Sequence, residues 1–257
     1  VILLMRALVL GSGSKGNSTL ILDEKTKLLI DVGFSYPKMK ALLEKYNLTP
    51  YDIDGILITH MHKDHILGLS SFVKKNHTKV YVNKLIYDQL VEIIDEECLV
   101  LTLEEFAIGP FNITQFNTSH DSVGSVGFIV ENNHKSLVYV TDTGYISHKN
   151  LELLMDKNAY IFESNHDIEM LMEGPYPYIL KQRVLSDKGH LSNELAGEYL
   201  SQLIGINTKK VVLAHLSETN NRHEIAFNTI KDIIGDKFTN IELLVASQDE
   251  SLDLGEV

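Results

Sequence analysis

The six residues HMHKDH at positions 60–65 constrain this chain more than any other feature. They place three imidazoles and a carboxylate (His60, His62, Asp64 and His65) on one loop, directly after the run GILIT at 55–59. A run so short, apolar and β-branched reads as a buried strand, which puts the loop between a strand's C-terminal end and a helix. With 11 histidines in 257 residues, the four fixed positions fill by accident about once in a thousand such chains. Neutral imidazole and carboxylate are the donors that borderline divalent metals prefer, and four of them on one turn can serve two adjacent ions. A fold for this chain must therefore carry further donors to the same loop.

The length suits one large domain or two small ones. With 44% hydrophobic and 23% charged residues and no low-complexity tract, the chain is composed like an ordinary globular protein with a sizeable core. Cys98 is its single cysteine, so no intramolecular disulfide forms and nothing argues for an oxidising compartment. The opening VILLMRALVL lacks a preceding basic segment and is broken by Arg6, so it reads as a first strand rather than a signal sequence. No apolar run approaches the ~20 residues of a spanning helix, and a cytoplasmic protein without membrane attachment is expected. The net charge of −12 repels nucleic acid over most of the surface and counts against a non-enzymatic module that grips phosphates with a basic face. Bound divalent cations would reverse that field locally.

Periodicity predicts strands at 6–10, 18–22, 27–31, 55–59, 79–82, 111–117, 124–131, 136–141, 158–163, 210–214 and 240–246. It predicts helices over 35–46, 66–75, 84–94, 192–204 and 222–234. The helix at 192–204 is the best marked, with Ser192 as N-cap, a stripe of Leu195, Ala196, Tyr199, Leu200 and Leu203, and Gly205 past its end. No Pro/Gly/Ser-rich linker or internal repeat divides the chain, so residues 1–257 are expected to form one α/β (α+β) domain of mixed sheets covered by helices.

Isolated donors do end later strands: His120 follows FNITQFNTS, Asp142 follows SLVYVT, and His215 ends KVVLA. Strand ends are where a rigid scaffold offers functional groups. Taken with HMHKDH, these positions resemble the successive metal motifs of the metallo-β-lactamase superfamily over nearly the whole chain. The resemblance implies a four-layer αββα sandwich with the metals at one edge between the sheets. It implies that His60, His62 and His120 hold one ion, that Asp64, His65 and His215 hold the other, and that Asp142 bridges them. It further implies that Asp31, in LLIDVG, supports the ligand loop from behind, as carboxylates do for metal-bound imidazoles.

Two divalent ions ~3.5–4 Å apart lower the pKa of a bridging water and clamp both oxygens of an in-line displacement. Hydrolysis is the expected reaction, but the superfamily splits lactams, thioesters and phosphodiesters, so the fold does not name the substrate. Three segments point to phosphodiesters. The turn GSGSKGNST offers Ser14, Lys15 and Asn17 to an anion, although an ordinary hairpin loop would look the same. FESNHD and SDKGHLS supply Glu163 and His190, which resemble the pair of the tRNA 3′-processing members, and an imidazole backed by a carboxylate can act as general acid. His166 and Asp167 lie beside Glu163, where His166 is a candidate substrate contact or a structural hydrogen-bonding residue. GPYPYILKQR combines Tyr176 and Tyr178 with Lys181 and Arg183, a mixture suited to bases and phosphates or to a packed surface loop.

The combination of GSGSKGNST, HMHKDH, FESNHD and SDKGHLS looks most like the WalJ (YycJ) exonuclease branch of the superfamily, up to the segment HLSETNNR, where Ser217, Asn220 and Asn221 either touch substrate or cap the next helix. The resemblance implies a dinuclear metal-dependent phosphodiesterase, a 5′-to-3′ DNA exonuclease in which a metal-bridging hydroxide attacks phosphorus. Asp64, Glu163 and His190 would carry the chemistry, with DNA as the expected nucleic-acid partner. The alternatives are a phosphodiesterase for a small cyclic phosphate or nucleotide, and a tRNA-processing-like RNase. A thioester hydrolase has no evident need of Glu163 and His190, and a non-catalytic module would not keep all seven ligand positions filled. The donors suit two divalent ions, Zn²⁺ or Mn²⁺ or iron.

Overall fold

In the computed structural model, which describes residues 5–133 and 135–257, the alternating patterns resolve into two sheets backed by helices. The first four residues of the expected opening strand lie outside the described residues. The first half runs β1 (Arg6–Gly11), β2 (Ser18–Leu22), β3 (Lys27–Ile30), α1 (Tyr36–Glu44), β4 (Gly55–Leu57), α2 (Lys63–Ile66), α3 (Leu69–Asn76), β5 (Lys79–Val82), α4 (Lys84–Leu90) and β6 (Leu99–Leu101). The second half opens with β7 (Glu105–Ile108), β8 (Phe111–Asn117), β9 (Val126–Asn132), β10 (Lys135–Val140), α5 (His148–Leu154) and β11 (Ala159–Glu163). It continues through α6 (Ile168–Glu173), α7 (Tyr178–Val184), α8 (Asn193–Leu203), β12 (Lys210–Ala214), α9 (His223–Ile234), β13 (Glu242–Val245) and β14 (Leu252–Glu256).

Each sheet has seven strands, in the orders β14-β1-β2-β3-β4-β5-β6 and β13-β12-β11-β10-β9-β8-β7. Both begin as antiparallel meanders and continue as parallel strands joined by helical crossovers. Parallel strands buried on both faces read as continuous apolar runs, as KLLI and KVVLA do.

Side-chain alternation sets the layers. Ala7, Val9, Ile21, Leu28, Ile30 and Leu57 of the first sheet face Phe128, Val130, Leu137, Tyr139, Ile161 and Val212 of the second, forming the central core. Their neighbours Leu8, Leu20, Leu29 and Ile56 face outward onto Met39, Leu42, Leu43, Phe72 and Val73 of α1 and α3. On the far side Val138, Tyr160, Val211 and Leu213 pack on Leu154, Ala196, Leu200 and Ile230 of α5, α8 and α9. The result is the expected αββα order. Among the described residues no helix is long and apolar enough to cross a membrane.

Several elements depart from expectation. The helix predicted over 66–75 is two short helices parted at Gly68. A β-carbon there would lie 2.0 Å from the Phe34 carbonyl oxygen, and the Gly68 N–H donates to Val32, so the chain is pinned to the β3–α1 loop instead of coiling on. The strand predicted over 55–59 stops at Leu57, because Ile58 and Thr59 turn toward the second sheet, where the Val126 N–H donates to Thr59 at 2.9 Å. Strands β6, β7 and β14 and helices α5, α6 and α7 were not anticipated.

Candidate metal centre

Every donor anticipated in the sequence arrives at one edge of the sandwich. His60, His62, Asp64 and His65 follow β4, His120 follows β8, Asp142 follows β10, and His215 follows β12. Asp31, Asp142 and His215 have φ of 61°, 56° and 56°. Left-handed backbone is uncommon for side-chain-bearing residues, but Asp and His adopt it more readily than most, and here it recurs at three strand ends that carry site residues.

Donor atoms of His60, His62 and His120 lie within 4.8 Å of one another, as do those of Asp64, His65 and His215, and those of His60, His65 and Asp142. Asp142 thus adjoins both triads, the partition that the resemblance implies. His60 and His65 are fully buried, and Asp142 and His215 nearly so. Burial of this kind ordinarily obliges a polar atom to find a hydrogen bond. Here His60 Nε2 has no partner among the described residues, and Asp142 Oδ2 lies 3.1 Å from His65 Nε2 without hydrogen-bond geometry. His120 Nε2 faces His62 Nδ1 at 3.2 Å, close to the about 3.3 Å that tetrahedral ligands at ~2.0–2.1 Å would show. A convergence of imidazole nitrogens and carboxylate oxygens this close fits divalent ions.

The outward nitrogens of the imidazoles are all engaged, which fixes ring orientation. His65 Nδ1 donates to Asp31 Oδ2 at 2.7 Å, and Asp31 also accepts from the Thr59 N–H and hydroxyl at 2.9 and 2.7 Å. His60 Nδ1 meets the Thr59 hydroxyl at 3.0 Å, His120 Nδ1 the Gly189 carbonyl at 3.2 Å, and His62 Nε2 the Asp121 carboxylate at 3.3 Å. His215 Nδ1 donates to Glu163 Oε1 at 3.0 Å. Burial would raise the Asp142 carboxyl, but His215, His65 and His60 outweigh it and hold it well below the usual range. Burial pushes His60 well down, whereas Asp142 and Asp31 overcome burial to raise His65. For Glu163 burial again opposes ionisation, yet His190 and His215 bring it to about 2.

Glu163 Oε1 accepts from His190 Nδ1 at 2.8 Å, and its Oε2 accepts from the Thr143 and Leu191 N–H groups at 3.0 and 3.1 Å. His190 is part-exposed and lines a cavity of about 270 Å³ together with Asp64, His120, Asp142 and His215. The far wall of that cavity is Tyr176, Leu180, Arg183 and Lys188. A wider cleft of about 530 Å³, between α4, β8 and α5, is lined by none of the donors.

The residues expected at substrate separate into two groups. Ser14 lines the cavity, and Lys15 lies on the surface paired with Glu218 at 2.7 Å. Asn17, His166 and Asn221 are 0%, 1% and 2% exposed, and none lines the cavity; direct contact needs surface they lack. Asn17 donates to the Asp64 carboxylate at 3.2 Å and to the Gly13 carbonyl at 3.0 Å, so GSGSKGNST braces the ligand loop. Asn221 exchanges hydrogen bonds with Asn193 at 3.0 and 2.9 Å and accepts from the Arg222 N–H at the start of α9. His166 packs behind the Glu163 strand end, with both ring nitrogens unpartnered among the described residues. Thr59, Asp121 and Lys188 were missed. Only Asp121 carried a signal, its place next to His120.

A family model described as the beta-lactamase superfamily domain matches residues 26–216. The chain is 36% identical over 234 residues, 89% of each chain, to a Bacillus anthracis protein named exodeoxyribonuclease YycJ. It is 38% identical over 229 residues, 86% of this chain and 85% of the other, to exodeoxyribonuclease WalJ of Streptococcus pneumoniae. In fold it resembles the metallo-beta-lactamase fold protein YhfI from Bacillus subtilis, with a TM-score of 0.75, 18% identity, and 97% and 98% of the two chains covered. With the family model spanning most of the chain and these relatives aligned along nearly all of it, the chain belongs to the metallo-β-lactamase superfamily of hydrolases and, within it, to the family of the YycJ and WalJ proteins.

Proposed function

We propose that this chain is a dinuclear metal-dependent phosphodiesterase that removes nucleotides from the 5′ ends of DNA. The observation that carries the reading is the Glu163–His190 pair, held at 2.8 Å beside two donor triads that Asp142 adjoins. Relatives named exodeoxyribonucleases support the choice of substrate. His60, His62 and His120 would hold one ion and Asp64, His65 and His215 the other, with Asp142 between them. Zn²⁺, Mn²⁺ and iron all suit such donors. When bound, the ions supply Lewis acidity and activate water.

The chain's own groups do the rest. In its imidazolium form His190 keeps its Nδ1–H hydrogen-bonded to Glu163 and passes its Nε2 proton to the departing sugar oxygen, becoming neutral imidazole. Arg183 and Lys188, on the cavity's far wall, offset negative charge on the substrate. The small cavity, about 270 Å³, favours a second reading, hydrolysis of a small cyclic phosphate or nucleotide.

The test is to load the protein separately with Mn²⁺ and Zn²⁺ and to supply 5′-labelled single- and double-stranded DNA, RNA and a simple phosphodiester. Release of mononucleotides from 5′ ends of DNA is expected. Cleavage of the simple ester alone would replace this reading with the second one.

A further inference from the structure

Two of the three imidazoles in one triad lean on a single outlying element. His62 turns Nδ1 toward His120 Nε2 and points its own Nε2 outward, to Asp121 Oδ1 at 3.3 Å. The other oxygen of Asp121 accepts from Arg183 Nε at 2.6 Å, near the end of α7. Helix α7 then runs into the turn 185–189, where the His190 N–H donates to the Val184 carbonyl at 3.0 Å and the Gly189 carbonyl meets His120 Nδ1 at 3.2 Å. The second triad is braced otherwise. The outward nitrogens of His65 and His215 meet Asp31 and Glu163, both fully buried at the ends of β3 and β11.

His62 is also the exposed member of the set. Its side chain is 34% accessible, against 0%, 2% and 4% for His65, His120 and His215. Burial fixes those three rings, whereas His62 depends on the carboxylate behind it, which sets ring orientation and strengthens the imidazole as a donor. Asp121 is itself part-exposed, so water competes for its oxygens, and Arg183 fixes the one that His62 does not use. A guanidinium suits that task because it stays charged and its N–H groups are held in one plane.

We propose that Arg183 is a positioning residue for one of the two ions: by holding Asp121 against His62 it sets the affinity of the His60–His62–His120 triad and leaves that of Asp64–His65–His215 unchanged. This rests on the two-ion reading above and is independent of which phosphodiester is cleaved. The wall of the cavity is thereby part of the scaffold of one ion and not of the other.

The Arg183 side chain is 57% exposed, so Arg183→Gln changes a surface group and retains the fold. In protein loaded with Zn²⁺, chelator competition should resolve two stepwise constants. One should weaken roughly 2- to 5-fold, the scale of a part-exposed ion pair, and the other should hold. Asp121→Asn, which removes the carboxylate charge itself, should weaken the same constant about 10–100-fold. In the double variant the arginine substitution should add nothing, since its effect passes through Asp121. Arg183→Lys, which keeps a charged donor, should recover part of the loss. Crystals equilibrated at limiting Zn²⁺ should show anomalous occupancy reduced at His60–His62–His120 alone. Equal loss at both triads, additive effects in the double variant, a lysine no better than glutamine, or two unchanged constants in Arg183→Gln each overturn the assignment. A wild type that binds fewer than two ions by native mass spectrometry overturns the two-ion reading and the assignment with it, a result distinct from unselective loss.

Discussion

Single atoms in this site serve two masters, and that makes substitutions informative. Glu163 Oε1 accepts from both His190 and His215, while Oε2 accepts from two backbone N–H groups. In Glu163→Gln the amide NH₂ must face donors whichever way it turns, so both the metal affinity and the rate should fall. His190→Ala should slow turnover by roughly 10²–10⁴-fold, the worth of a general acid, with the ions retained; elemental analysis beside kinetics separates the two variants, and equal metal loss in both would refute the division of roles. Asp31→Asn keeps a residue tolerant of φ near +60° but removes the charge facing His65, and metal affinity measured by chelator competition should drop about 10–100-fold. His166 gives a pH signature instead. Burial lowers it from 6.5 to about 4, so on acidification the unfolded chain protonates first. Its contribution to stability is complete above about pH 6.5 and is lost as pH falls toward about 4, with a slope of up to ~1.4 kcal/mol per unit. Urea midpoints against pH should show a shallower fall in His166→Gln than in the wild type; parallel curves would contradict it. The seven candidate donors stood out in the sequence because four cluster in HMHKDH and His120, Asp142 and His215 each follow a strand-like run. Asn17, His166 and Asn221 misled because burial cannot be seen in a polar segment, and Thr59 was invisible because it acts through Asp31 and the imidazoles of His60 and His65.

At the scale of elements, the ligand loop is held by backbone as much as by side chains. Asn17 N–H donates to the Asp64 carbonyl at 2.8 Å, Gly33 N–H to Asn17 at 2.9 Å, and Val32 N–H to His65 at 2.8 Å, tying the β1–β2 turn, the β3–α1 loop and HMHKDH into one clasp. A β-carbon on Gly33 would lie 1.8 Å from the Asp64 carbonyl oxygen and 2.4 Å from Asn17 N, which rigid backbone cannot absorb. Gly33→Ala should therefore open the clasp, lowering the melting temperature and metal content together, at a cost of more than about 3 kcal/mol. A variant that melts and loads like the wild type would mean the loops slide apart freely. The same clasp explains which elements the sequence revealed. Helix α8, with its apolar stripe and Ser192 accepting from the Leu195 N–H at 3.2 Å, is specified locally. Strand β14, LDLGE with Gly255 at φ 66°, exists because β1 offers it a pairing edge, and α6 and α7 are helices of six and seven residues parted by Gly174-Pro175-Tyr176-Pro177, too brief for periodicity to register.

Across the whole molecule, each triad draws on both halves. His60 and His62 come from the first sheet and His120 from the second, while Asp64 and His65 come from the first and His215 from the second. Bound ions would therefore fasten the two sheets at the edge where the apolar core of Val9, Ile30 and Leu57 against Tyr139 and Ala214 gives out. Ligands that bind only the folded state stabilise it by mass action, by ~2.7 kcal/mol at a hundredfold excess over Kd. For a chain of this size that corresponds to a melting temperature about 5–10 °C lower after chelation. Asp142 adjoins both triads, so Asp142→Ala should bind fewer than two ions by native mass spectrometry, lose activity, and show little further drop in melting temperature when chelator is added. Substitution of Lys15, which faces solvent and Glu218, should leave the chelation shift intact. If chelation left the wild-type melting temperature unmoved, the ions would not be joining the halves, and the shared position of Asp142 would need another explanation.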